Sequence, residues 1–61
     1  GFAAGVAVAC EILYGTFAET VATVEILGAC GFDEARKLRR LGVDDYDIDI
    51  IKPLFKQMRR K

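Results

Sequence analysis

The stretch Phe2 to Phe32, FAAGVAVACEILYGTFAETVATVEILGACGF, decides the fold, because its only charges are Glu11, Glu19 and Glu25. Alanine and leucine favour helix. Small residues recur four apart at Gly1, Gly5 and Ala9, a spacing that lays a smooth strip on one helix face and lets another backbone come close. The stretch reads either as one helix from Phe2 to Leu27 or as a hairpin broken at Gly15-Thr16. For the break, Gly15 suits the left-handed residue that ends a helix, and Thr16 with Glu19 matches the T-x-x-E capping box. For the through-helix, about 100° per residue places Val6, Cys10, Leu13, Tyr14, Phe17, Val21 and Val24 on one face. Glu11, Gly15, Glu19 and Thr23 then lie on or near the other.

The β-branched residues Thr20, Val21, Thr23, Val24 and Ile26 weaken the helical reading. A strand would need a partner strand, and no second strand-like run of similar quality stands in the chain, so helix is retained. Gly28 and Gly31 bracket a turn, with Ala29 and Cys30 between them.

Residues 33–61 differ in kind. They carry six acids and nine bases, net +3, against three acids and no base, net −3, in residues 1–32. Asp33 is a good N-cap, and acid first with base last (Glu34, then Arg36, Lys37, Arg39 and Arg40) matches the helix dipole. Leu38 and Leu41 face inward, Gly42 suits the left-handed stop, and Val43 folds back on Leu38. This predicts a helix over 34–41. The alternating acids Asp45, Asp47 and Asp49 invite a calcium-loop reading, which fails because the loop demands Gly and Glu where the chain has Ile50 and Lys56. They read instead as a helix start, with Pro53 in or just after the first turn. Ile51, Leu54, Phe55 and Met58 follow at i, i+3, i+4 and i+7, predicting a helix over 50–60. Lys52, Lys56, Arg59, Arg60 and Lys61 take its outer face and end. Leu41-Gly42-Val43 followed by this helix ending Met58-Arg59 resembles the tail of sterile alpha motif domains. The apolar first half departs from that family's pattern, so the resemblance implies no function.

The fold class expected is all-α, a small bundle of three to four short helices forming one domain over 1–61. Its expected core is Phe17, Val21, Val24, Leu38, Leu41, Ile51, Leu54, Phe55 and Met58. A chain of 61 residues with 52% apolar content buries only about 60% of its unfolded surface. It has more apolar area than a core of that size needs.

Most chemistry is excluded by composition. With no His and only Cys10 and Cys30, no zinc site is expected. On one helix the cysteines would lie about 30 Å apart, and a hairpin at Gly15 does not bring them together either, so two free thiols in a reducing, cytoplasmic compartment are expected. Glu11, Glu19 and Glu25 lack the histidines of carboxylate di-metal bundles and read as a polar strip or as partners of the Arg36–Arg40 cluster. No nucleophile–base pair, phosphate loop or cofactor fingerprint is present. No catalytic, metal or cofactor residue is therefore assigned, and the chain reads as non-enzymatic. The basic cluster is interleaved with acids and reads as a solvated face rather than a nucleic-acid site.

What remains is association. The chain reads as a helical interaction or oligomerisation module, or as a subunit of a larger assembly. Its expected protein partner, or second copy, meets Gly1, Phe2, Gly5, Val6, Ala9 and Cys10. The alternative is a membrane-associated subunit whose segment 2–27 inserts in lipid, with the basic half on the cytoplasmic side. A start without Met suggests a processed product or a piece of something larger. No basic leader of a secretory signal precedes the apolar run.

Overall fold

The computed structural model describes the chain over Gly1–Arg59. α1 spans Phe2–Glu11, α2 Thr20–Cys30, α3 Ala35–Arg40, α4 Asp45–Ile51 and α5 Pro53–Arg59. A π-helical turn, Ile12–Thr16, continues α1. The fold is thus all-α as predicted, a small helical bundle measuring 25 × 25 × 18 Å. The described residues hold five α-helices rather than three or four. Arg60 and Lys61 lie outside the described residues.

The hairpin reading of the first half holds, but its break falls later than Gly15-Thr16. The chain stays helical through Thr16, in a widened turn where the Phe17 N–H donates to the Ile12 carbonyl at 3.3 Å. Ala18, not Gly15, takes the left-handed conformation, at φ 55°. The Ala18 N–H reaches Tyr14 and the Glu19 N–H reaches Leu13. The through-helix to Leu27 is excluded, and Thr16 and Glu19 form no side-chain cap on α2. Gly15 has a different use. A Cβ there would stand 3.3 Å from Ile50 Cγ2, so the bare glycine lets the π turn lie against α4.

α2 forms despite its β-branched residues because tertiary packing overrides propensity. The Thr23 hydroxyl, fully buried, donates to the Glu19 carbonyl at 2.6 Å and so carries no orphan polar group. The helix runs through Gly28 and stops at Gly31, φ 73°, rather than turning between the two glycines. The Phe32 N–H bonds the Leu27 carbonyl and the Gly31 N–H bonds that of Gly28. This pair is the Schellman pattern, sealed by buried Leu27 and Phe32.

α3 ends the same way and matches the sequence reading. Gly42 has φ 90°, its N–H bonds the Arg39 carbonyl, and the Val43 N–H bonds that of Leu38 at 3.0 Å. Leu38 and Val43 are both buried. The helix begins at Ala35, with Glu34 at the cap position rather than Asp33. The Asp33 carboxylate instead pairs with Lys37 at 3.1 Å. The predicted helix over 50–60 is two helices. The acids Asp45 and Asp47 occupy the first turn of α4, where the dipole favours them. Pro53 has no N–H to continue that ladder and becomes the first residue of α5.

The core departs from expectation in its first half. α1 packs chiefly against α4 and turns Ala3, Ala7 and Cys10 inward. Leu27, Phe32, Leu38, Val43, Ile48, Ile51, Leu54 and Phe55 complete it. Val24 and Met58 pack only against its edge. Phe17, Val21 and Leu41 were expected inside and stand 63%, 78% and 52% exposed. α1 supplies the core with Ala3, Ala7 and Cys10, whereas Phe17 lies just past the π turn, Val21 in the first turn of α2 and Leu41 at the C-cap of α3, all on the solvent side.

Candidate functional site

The outward face of α1 is set by the inward one. With Ala3, Ala7 and Cys10 buried, helical periodicity turns Phe2, Gly5, Val8, Ala9 and Ile12 to the opposite side, and all five are exposed. Phe2, Gly5, Ala9 and Ile12 fall within about 80° of one another in projection. Phe2 is 74% exposed, yet its ring lies 6.2 Å from that of buried Phe32, at 59°. That contact fixes where the ring stands. Beyond the π turn, Phe17 and Val21 are exposed as well.

No charge interrupts this face. The first base in the chain is Arg36, and Glu11 lies half-buried on the flank of α1. A Cβ added to Gly5 would meet nothing within 4 Å, so the small-residue strip is a shallow hollow open to solvent, not a seam packed inside the domain. Of the residues assigned to a partner from sequence, Gly1, Phe2, Gly5 and Ala9 are exposed and Val6 is half-buried at the edge. Cys10 is fully buried and offers nothing to a partner. Val8 and Ile12 belong to the face and were missed. The i, i+3, i+7 spacing of Gly5, Val8 and Ile12 places them on one side of a helix, but the sequence reading assigned neither Val8 nor Ile12 to a face.

Three bases of the second half are held in ion pairs. Lys37 donates to the Gly31 carbonyl at 2.8 Å and to Asp33, Arg39 to Asp45 at 2.8 Å, and Lys52 pairs with Asp49 at 3.4 Å. Lys37, Arg39 and Lys52 thus pair with aspartates of their own half rather than with Glu11, Glu19 or Glu25. All three pairs are exposed and contribute little to stability. The hydrogen bond from Lys37 is the main cause holding the Asp33 carboxyl below its usual range. Burial, and then the proximity of Cys30, push the Cys10 thiol up, so it stays protonated and unreactive at neutral pH. Both cysteines are free. Among the described residues, no group of three or more His, Cys, Asp or Glu is placed to hold a metal ion.

A shallow groove of about 430 Å³ runs between α2 and α5, floored by Val24 and Met58 and edged by Glu25, Asp33 and Gln57. No helix among the described residues is long and apolar enough to cross a membrane. No family model, curated protein or solved structure matches the chain.

Proposed function

We propose that the protein is a non-enzymatic helical module for protein–protein association, its contact carried by the outward face of α1. One observation supports this most: Phe2, Val8 and Ile12 stand exposed on a helix face that holds no charged residue. Single exposed apolar side chains are ordinary, but a continuous apolar face is the mark of a surface that is covered in use. The fold has already filled its core with Ala3, Ala7 and Cys10 from the same helix, so the outer side chains are surplus to folding. The same surplus suits a subunit of a larger assembly, where neighbouring chains cover the face.

The combined substitution Phe2→Gln, Val8→Gln and Ile12→Gln tests the reading. At low micromolar concentration its melting temperature should stay within about 4 °C of the parent, equivalent to less than about 1 kcal/mol. Loss of the cooperative transition would mean that the face belongs to the fold and not to a partner.

A further inference from the structure

Resting on that reading, we infer that the partner is a second copy of this chain, joined by two α1 helices packed antiparallel about a two-fold axis. Along the centre line of the outward face the residues are Phe2, Gly5, Ala9 and Ile12, large, small, small, large, with exposed Val8 on its flank about 80° away. The series is symmetric about the level of Ala7. Phe2 and Ile12 stand about 15 Å apart along the axis and Gly5 and Ala9 about 6 Å apart, at the standard rise. A two-fold rotation therefore sets Phe2 of one copy against Ile12 of the other, and Gly5 against Ala9. Hollow meets hollow at the centre, where the open space over Gly5 lets the backbones approach. Large side chains close both ends. An isologous contact requires this self-complementarity, whereas an unrelated partner has no need of it.

Charge narrows the occupant in the same direction. Helices that lie on membranes carry Lys and Arg along their polar flank, and no base precedes Arg36. The acids Glu11, Glu19 and Glu25 would be repelled by anionic lipid. The face itself is uncharged, so two copies meet across it without opposing like charges. Area sets the strength. A stable interface takes about 800 Å² from each partner, roughly a fifth of the 4001 Å² this chain exposes. The exposed side chains of Phe2, Val8 and Ile12 present apolar area on the order of 300 Å², with the glycine and alanine backbone between them adding to it, which is less than a permanent dimer takes. The dimer is accordingly a concentration-dependent one.

Charge-swapped mixing tests both the partner and its orientation. Ile12→Glu and Phe2→Lys are made separately, each checked for native circular dichroism and melting. Sedimentation velocity is then run from micromolar to millimolar concentration on the parent, each variant and their equimolar mixture. The parent should pass from a 6.7 kDa monomer to a dimer. Each variant alone should associate at least tenfold more weakly. The mixture should restore the dimer, because the new carboxylate of one copy meets the new ammonium of the other across the axis while Phe2 and Ile12 still meet at the opposite end. A mixture that stays monomeric overturns the antiparallel arrangement, and a dimer indifferent to both substitutions overturns the surface. A parent that remains monomeric throughout overturns the second copy as partner. It leaves the association reading to the melting experiment on the triple glutamine variant. A monomer that co-sediments with phosphatidylcholine vesicles would overturn it in favour of lipid.

Discussion

α1 and α5 divide their faces by different rules. α5 turns Leu54 and Phe55 inward and Lys56, Gln57 and Arg59 outward, so polarity alone tells its inside from its outside. α1 is apolar on both sides except for Glu11. It sends alanine and cysteine inward and leaves Phe2, Val8 and Ile12 in water. There polarity does not separate the faces, and the side turned to the core is the one that carries the small residues Ala3, Ala7 and Cys10. An apolar helix without a polar face therefore does not announce its buried side, and its bulkiest residues are the ones excluded.

Substitutions on the two helices should separate these rules. Leu54→Ala, which empties a fully buried site on α5, should cost about 2–5 kcal/mol in chemical denaturation. Ala7→Leu adds volume where α1 meets the core and should cost about 1–3 kcal/mol. If Ala7→Leu is neutral, the close approach of α1 is not what sorts its faces. The helix ends offer a smaller contrast. Gly42→Ala should lose about 1 kcal/mol at its positive φ, whereas Ala18→Gly should gain roughly 0.5–1 kcal/mol by relieving an alanine held at φ 55°. Equal melting temperatures for parent and Ala18→Gly would remove that strain from the account. Smallest of all, Ile12→Gln on the outer face should change stability by no more than about 0.5 kcal/mol, measured below the concentration at which the chain associates.

The sequence was most legible where charge and glycine marked the boundaries. Leu38, Gly42 and Val43 could be placed from the order of acid, base and glycine, and the structure returns them as a Schellman stop with both apolar partners buried. Leu54 and Phe55 followed from i, i+3, i+4 spacing. In the first half the hairpin and the single helix were both left open, and the position of the break was not legible. Gly15 looks like a stop in sequence, yet it serves a close approach to Ile50, and an unremarkable Ala18 takes the left-handed turn. Nothing local distinguishes those uses of glycine. The aspartates of α4 marked a helix start correctly, but the division at Pro53 made two helices of what periodicity joined into one. Of the candidate surface, the small residues Gly1, Gly5 and Ala9 were marked by their spacing and stand exposed, as does Phe2. Cys10 is buried and Val8 and Ile12 share the exposed face, which the spacing did not reveal, since the rotation of α1 is set by α4, which lies far along the chain.

That rotation is the central claim, and thiol reactivity of a Cys30→Ser variant measures it most directly, since Cys10 then carries the only thiol. With Cys10 turned into the core, its reaction with a water-soluble disulfide reagent should proceed only as the domain unfolds, and should accelerate sharply in denaturant. Reaction in native buffer at the rate of the denatured chain would place Cys10 at the surface, and with it Ala3 and Ala7, and would put Phe2 and Ile12 on the buried side instead.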